Sequence, residues 1–297
     1  RSRLGTRRTA VFDRVAVVDW SANSAPKLGR DSIWIAVQNG NGDVSTTNLP
    51  TRADAIEFLA DLVESDRDAT TLIGVDFSLG YPVGTAAALG LTGAGWTAMW
   101  QLLADRIRDD DRNVNNRFAV AAELNRKLTN DAAPSWGCPP SARSEHLTST
   151  KPPAPVPPGE YRVVEEMLRE QGLRPFSCWQ LLGAGAVGSQ SLLGIARLHG
   201  LRHRLGDRSQ VWPFTTGFTT PTLAVGAVVV AEVWPSMLPV VDVEGHVRDA
   251  IQVRTTAGWL AAANSSGDLA AWFSPPLSSA VAQNVVAEEG WVLGAMP

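Results

Sequence analysis

Three acidic residues stand at the carboxyl ends of the three most strand-like segments of the chain. Asp19, Asp76 and Glu232 each close a run of mostly apolar, β-branched residues. Because ligands of open α/β sheets collect at the carboxyl ends of strands, the three carboxylates are expected to meet there. Carboxylates held together repel one another unless a cation compensates them, and Mg²⁺ or Mn²⁺ suits such oxygen ligands. The sequence therefore predicts a divalent-metal site, the alternative for each acid being a cap or turn role.

Such a site has a definite chemistry. Divalent ions held by carboxylates activate a water molecule and stabilise the leaving oxygen when a phosphodiester is cleaved. The expected function is metal-dependent hydrolysis of a phosphodiester or another phosphate ester, with a nucleic acid or a nucleotide-like molecule as the substrate.

Four further residues are candidates for binding that substrate. Arg162 and Glu165 lie three residues apart in a helical pattern, so they share one face. Arg162 would hold a phosphate through two parallel hydrogen bonds, and the alternative is a surface ion pair that contributes little. Trp20 and Ser21 directly follow Asp19, and an indole ring is suited to stack on a base or line a pocket.

A glycine motif and a basic run each suggest another ligand. Gly183, Gly185 and Gly188 match G-x-G-x-x-G, which would imply a dinucleotide enzyme only between a strand and a helix. The preceding residues are a poor strand, which favours a loop that permits close backbone packing. The run 197–208 holds four arginines and two histidines, and it is either a phosphate-contacting surface or a solvated helix face.

Composition limits the class of protein. The chain has 297 residues, 44% apolar and 19% charged, with a net charge of -4, which is typical of a globular protein and excludes a general nucleic-acid coat protein. Its longest apolar run, 223–231, is shorter than the ~20 residues of a membrane helix. Two distant cysteines and the absence of a signal-peptide pattern predict a cytoplasmic protein with reduced thiols and no membrane partner.

The elements that must position the acids are readable from hydrophobic periodicity. Predicted strands at 14–20, 31–38 and 43–49 form an antiparallel meander around the turn at 39–42, and Thr51 is the predicted N-cap of a helix at 51–64. A buried strand follows at 71–77, and another is predicted at 224–235. The remaining predicted helices lie at 96–108, 117–128, 161–171, 189–203, 247–263 and 277–288, and the segment 149–158 is a proline-rich loop.

This order of elements, β-β-β-α-β and then a last strand and terminal helices, is similar to the ribonuclease H-like fold. More specifically, the sequence resembles the family called domain of unknown function 429, whose members are predicted ribonuclease H-like nucleases. The resemblance is carried by short pieces at 18–21, 74–82, 161–165, 231–235 and 289–294. It implies a single α/β domain over 1–297, with a mixed sheet and a large, mostly helical insertion at about 83–222.

The resemblance also implies a site. Asp19, Asp76 and Glu232 would be the catalytic, metal-facing acids, and a fourth acid would come from a C-terminal helix. Asp268 is the first choice for that acid and Asp249 the second, although the Asp-Ala pattern of the family occurs at 249–250 and not at Asp268.

Other functions stay open. One alternative is a non-catalytic protein that binds a nucleotide or small cofactor on the same fold. The acidic net charge favours this alternative over a nuclease that acts on a long duplex. A dinucleotide-dependent enzyme would use the glycine motif. An actin-like phosphotransferase shares the core, but its Asp-x-Gly loops are missing at Asp19 and Asp76.

Overall fold

A computed structural model describes residues 12–40, 42–93, 95–153, 157–183 and 185–297. The basic segment 1–11, the centre of the proline-rich loop at 154–156 and residue 184 of the glycine motif lie outside the described residues. Among those described, no helix combines the length and the apolar character that crossing a bilayer requires.

One mixed sheet organises the described part of the chain, and its six strands follow the order β3-β2-β1-β4-β6-β5. The strands are β1 (Arg14–Asp19), β2 (Ile33–Asn39), β3 (Val44–Leu49), β4 (Thr71–Val75), β5 (Ser209–Val211) and β6 (Val228–Glu232). The first three pair antiparallel, whereas β4 pairs parallel to β1, β6 to β4 and β5 to β6. The predicted α/β class, with a meander followed by parallel strands, is therefore confirmed; the short edge strand β5 was not predicted.

Helices cover both faces of this sheet. In the described residues they are α1 (Arg52–Ser65), α2 (Thr85–Ala88), α3 (Gly95–Arg106), α4 (Arg117–Leu128), α5 (Val163–Glu170), α6 (Gly188–Leu205), α7 (Arg248–Ser266), α8 (Leu269–Trp272) and α9 (Ser279–Asn284), and a π-helical turn at Val285–Glu289 follows α9. Thr51 caps α1 as predicted, because its side chain accepts the backbone N–H of Asp54. The chain between β4 and β6 is mostly helical and contains α2 to α6.

Alternate residues of the central strands face two separate cores. Ala16 and Val18 of β1 pack with α1, α3 and α6, whereas Val15 and Val17 pack with α7 and the residues after α9. Every residue of β4 and β6 is buried, as expected for strands covered on both faces. The carboxyl ends of these strands are consequently held by packing on two sides.

The register of the parallel strands decides which acids can meet. Val18 pairs with Val75, so Asp19 and Asp76 follow together in the next row. Val75 also pairs with Glu232, which therefore belongs to the earlier row. Since successive rows point their side chains to opposite faces of a sheet, the register groups Asp19 with Asp76 and separates Glu232 from them.

Candidate functional site

Asp19 and Asp76 form an acidic pair at the carboxyl ends of β1 and β4. The two side chains are half-buried and hydrogen-bond to each other. This bond needs a proton on one carboxyl, because an ionised carboxylate only accepts. Asp76 Oδ1 also accepts the backbone N–H of Trp20 at 2.8 Å. The fold thus brings together the first two acids that the sequence singles out.

The pair lies in an environment that disfavours its charge. Burial raises the pKa of Asp19 well above its ordinary value, and the charge of Asp76 raises it further. Burial also raises the pKa of Asp76 to about 7, against hydrogen bonds from Trp20 and Asp19 that act to lower it. No basic side chain of the described residues forms an ion pair with either carboxylate. A bound cation would relieve this unbalanced charge.

Asp249, in the first turn of α7, is the third acid of this group. Its Oδ2 accepts the backbone N–H of Asp31 at 2.7 Å, which ties α7 to the loop between β1 and β2. The charge of Asp249 contributes to the raised pKa values of Asp19 and Asp76. One cavity of about 1140 Å³ is lined by four aspartates, namely Asp19, Asp31, Asp76 and Asp249. Asp31 has no distinguishing sequence pattern and was not predicted.

Asp268, the first choice for the fourth acid, lies elsewhere, and this expectation is corrected. Its exposed side chain accepts the Ser266 hydroxyl at 2.7 Å just before α8, and it does not line the cavity. Asp249 and Asp268 stand at opposite ends of α7, which at 1.5 Å per residue is roughly 28 Å long. The second choice, Asp249, is the acid that the fold brings to the pair.

Glu232 lines the cavity but has a partner of its own. Its Oε2 accepts from Arg162 Nη1 at 2.8 Å and its Oε1 from Arg162 Nη2 at 2.6 Å, while the backbone N–H of Leu79 donates to Oε2 at 3.1 Å. Both oxygens are therefore occupied, so Glu232 does not join Asp19 and Asp76 as an open metal ligand. The physical reason is the strand register: Glu232 lies one row before Asp19 and Asp76, so its side chain points to the opposite face of the sheet.

Arg162 is the centre of this second group, which we call the arginine cluster (Arg162, Glu165 and Glu232). Its side chain is fully buried, and its Nε and Nη2 donate to Glu165 Oε1 at 2.9 and 2.6 Å. Nη1 also donates to the carbonyl oxygen of Glu289 at 2.8 Å. All five N–H groups thus have acceptors, which leaves none for a substrate phosphate. The prediction that Arg162 binds a substrate phosphate is therefore wrong, and Arg162 is instead the counter-ion of Glu165 and Glu232.

The opposite charges of the arginine cluster stabilise one another. Burial acts to lower the pKa of Arg162, but Glu165 and Glu232 outweigh it and hold that pKa well above its usual value. Burial and the neighbouring Glu232 raise the pKa of Glu165, although Arg162 acts to lower it, because one guanidinium serves two carboxylates. The predicted pairing of Arg162 with Glu165 on one face is present, and it is buried rather than on the surface.

Trp20 and Ser21 shape the cavity wall after β1. Trp20 is buried and packs on Phe77, with ring centroids 5.7 Å apart. The Ser21 hydroxyl donates to the carbonyl of Asp31 at 3.2 Å and accepts from Asn23 Nδ2 at 2.8 Å. Both residues line the cavity, and the hydrogen bonds of Ser21 hold the loop that follows Asp19.

The glycine motif leads into α6, which begins at Gly188, and it does not follow a strand of the sheet. A Cβ at Gly188 would lie 2.5 Å from the carbonyl oxygen of Cys178, and one at Gly185 would lie 2.3 Å from the ring of Phe176. These glycines permit close packing, and the strand-loop-helix context of a dinucleotide site is missing from the described residues. In the basic run, Arg197 pairs with Asp109, Arg204 with Glu57 and Arg208 with Glu64.

The acids do not form a ready-made metal centre. Within the described ranges, no three His, Cys, Asp or Glu side chains are grouped closely enough to hold an ion as they stand. Comparison with protein-family models, curated proteins and solved structures finds no match for the chain. The chemistry of the cavity itself is therefore the basis for assigning a function.

Proposed function

We propose that the chain is a ribonuclease H-like, metal-dependent hydrolase of a phosphodiester or phosphate ester, in which Asp19 and Asp76 face Mg²⁺ or Mn²⁺. One observation carries the proposal: two hydrogen-bonded carboxylates, with no basic partner in the described residues, lie in a cavity at the ends of adjacent parallel strands. Groups with strongly perturbed pKa values in a cleft are typical of functional sites.

The donor set fits such an ion. Mg²⁺ is usually bound by one or two carboxylates together with water and substrate phosphates, so Asp19 and Asp76 are sufficient ligands. When bound, the ion would polarise a phosphoryl oxygen and make a water molecule a better nucleophile. Asp249 adds negative charge beside the pair, whereas Glu232 does not fit because Arg162 occupies both its oxygens.

Backbone N–H groups orient Asp76 and Asp249. The Trp20 backbone N–H holds Oδ1 of Asp76, and the Asp31 N–H holds Oδ2 of Asp249. Hydrogen bonds of this kind fix the direction of a metal-binding side chain and are required for full affinity.

The topology supports the ribonuclease H-like part of the proposal. The meander β1–β3, helix α1 and parallel strand β4 reproduce the order of elements on which the similarity to the ribonuclease H-like fold rests. In that interpretation 1–297 is one domain, and the helical segment at about 83–222 is its insertion. The free, buried thiols of Cys138 and Cys178 agree with a reducing compartment such as the cytoplasm.

Calorimetric titration with Mn²⁺ tests the site. We expect Asp19→Asn to weaken Mn²⁺ binding at least about ten-fold and to abolish Mn²⁺-dependent hydrolysis of bis(p-nitrophenyl) phosphate. Asp268→Asn is the matched control, since it removes the same charge from an exposed position outside the cavity. Undiminished Mn²⁺ affinity in Asp19→Asn contradicts the proposal.

A second function is favoured by the apolar part of the cavity wall. Phe176 and Leu182 line the cavity although 42% and 48% of their surfaces are exposed. Such side chains suit a nucleotide base or another flat ligand. A non-catalytic nucleotide-binding protein would bind nucleotides with Mn²⁺ and release them unchanged, which chromatography of the products detects.

A further inference from the structure

Arg117, the first residue of α4, differs from the buried Arg52 and Arg162, which both pair with carboxylates. Only 7% of its surface is exposed. Nε donates to the Ser189 hydroxyl at 3.0 Å, and Nη1 donates to the Ser24 hydroxyl at 2.9 Å and to Asn115 Oδ1 at 2.7 Å. All three acceptors are uncharged, and no described residue provides an acceptor for Nη2. Arg117 is therefore a buried cation without a carboxylate partner.

The surroundings of Arg117 carry an excess of positive charge. Arg52 is fully buried and pairs with Asp109 at 2.5 Å, and Arg197 shares the same carboxylate at 2.8 Å. One carboxylate thus serves two guanidinium groups before Arg117 is counted. Burial, followed by the charge of Arg52, lowers the pKa of Arg117 to about 10. A buried charge without a counter-ion is costly, so an incoming anion would be stabilised here.

The amino end of α6 meets Arg117 through Ser189. This helix has 18 residues, and Val187 before it makes no side-chain cap. The N–H of Gly188 donates to the carbonyl of Gln180 at 2.8 Å, whereas those of Ser189 and Gln190 have no acceptor among the described residues. Unsatisfied N–H groups and the positive end of a helix dipole attract anions.

This region shares its cavity with the acidic pair. Arg117, Ser24 and Ser189 line the same space as Asp19 and Asp76. Ser24 follows Asp19 by five residues, so the connecting loop spans at most roughly 18 Å.

We propose that Arg117, Ser24 and the amino end of α6 form a phosphate subsite, and that the substrate carries a second phosphate besides the one that is cleaved. A guanidinium, hydroxyl groups and backbone N–H groups are the donors with which proteins bind phosphate oxygens. The identity of the substrate rests on the proposed function, but phosphate binding at this subsite does not, because it needs no metal.

Titration with inorganic phosphate in EDTA, followed by calorimetry or ³¹P NMR, tests the subsite. We expect Arg117→Gln to raise the Kd for phosphate at least about ten-fold and Arg117→Lys to raise it less, since lysine keeps the charge but loses the fork. Arg204→Gln is the matched control, because Arg204 pairs with Glu57 on the surface and should leave the Kd unchanged. An equal Kd for Arg117→Gln and the unaltered protein, or no phosphate binding at all, overturns the proposal.

A second variant is independent of the hydrogen bonds of Arg117. Val187→Asp places a carboxylate at the amino end of α6, where it favours the helix and competes with phosphate for the N–H groups. We expect phosphate binding to be lost without a fall in Tm, and the neutral Val187→Asn to bind phosphate more tightly than Val187→Asp. Unchanged phosphate affinity in Val187→Asp overturns the subsite.

The two proposals fail separately. If Arg117→Gln weakens phosphate binding but Asp19→Asn leaves Mn²⁺ affinity unchanged, only the hydrolase proposal is overturned. If Asp19→Asn weakens Mn²⁺ binding but Arg117→Gln leaves phosphate affinity unchanged, only the subsite is overturned.

Discussion

Two groups of acidic side chains lie beside one cavity, and the fold treats them in opposite ways. In the arginine cluster, Arg162 lies between Glu165 and Glu232, and both carboxylates are fully engaged. In the acidic pair, Asp19 and Asp76 hydrogen-bond to each other and to backbone N–H groups, and no described basic side chain balances them. One group is complete within the protein, and the other requires a proton or a cation.

The difference shows that a conspicuous acid at a strand end is not by itself a sign of chemistry. Glu232 has the same position in the sequence pattern as Asp19 and Asp76, yet it neutralises Arg162. Charge compensation is the better criterion, because a carboxylate whose contacts are satisfied stabilises the fold, whereas an uncompensated one costs stability and persists for binding. Experiments that alter the two groups should therefore shift stability in opposite directions.

The largest effect is expected from Arg162→Met. This change leaves two buried carboxylates without their counter-ion, which typically costs about 3–5 kcal/mol of unfolding free energy. Urea denaturation monitored by tryptophan fluorescence measures the loss. Arg204→Met, which removes an exposed arginine, should unfold at the same urea concentration as the unaltered protein. A loss no greater than that of the control would show that the arginine cluster does not stabilise the fold.

A smaller effect of opposite sign is expected from Asp76→Asn. The amide oxygen keeps the hydrogen bond from the Trp20 N–H while the repulsion with Asp19 disappears. In EDTA at pH 8 the unfolding free energy should rise by about 1–2 kcal/mol, because one uncompensated charge is gone. The same urea titration measures it, and a clear destabilisation would mean that the negative charge of Asp76 is balanced in the folded protein.

The third expected effect is a dependence on pH. The pKa of Asp76 rises to about 7 in the folded protein, so between its ordinary value and 7 the folded state binds more protons than the unfolded state. Stability in EDTA should therefore fall as the pH rises through this range, with Tm dropping by roughly 2–4 °C for each kcal/mol lost. Differential scanning fluorimetry from pH 5 to pH 8 measures the slope. Asp76→Asn should flatten it, and identical slopes would remove Asp76 as its cause.

The sheet was largely predictable because its signals are local. The runs that became β1, β4 and β6 are continuous and apolar, and Thr51 with Asp54 marked the start of α1. The strand β5 has only three residues, Ser209–Val211, too few for hydrophobic periodicity to be visible. Its place in the sheet comes from pairing with β6, which is a tertiary contact.

The site was only partly predictable because it depends on register and helix length. Parallel strands ending in Asp19 and Asp76 imply that the two acids are neighbours, but a one-residue offset in pairing β6 redirects Glu232. Its partner Arg162 lies 70 residues away, beyond any local pattern. Choosing between Asp249 and Asp268 required knowing that one helix of 19 residues separates them.

The contact between Arg162 and the carbonyl oxygen of Glu289 joins residues 127 positions apart. A ribosome makes the chain from its amino end, and segments begin to fold as they emerge. One N–H of Arg162 therefore lacks its acceptor until the turn at Val285–Glu289 has been synthesised, although Glu165 and Glu232 are made earlier. A chain that stops before this turn cannot complete the hydrogen bonds around this buried guanidinium.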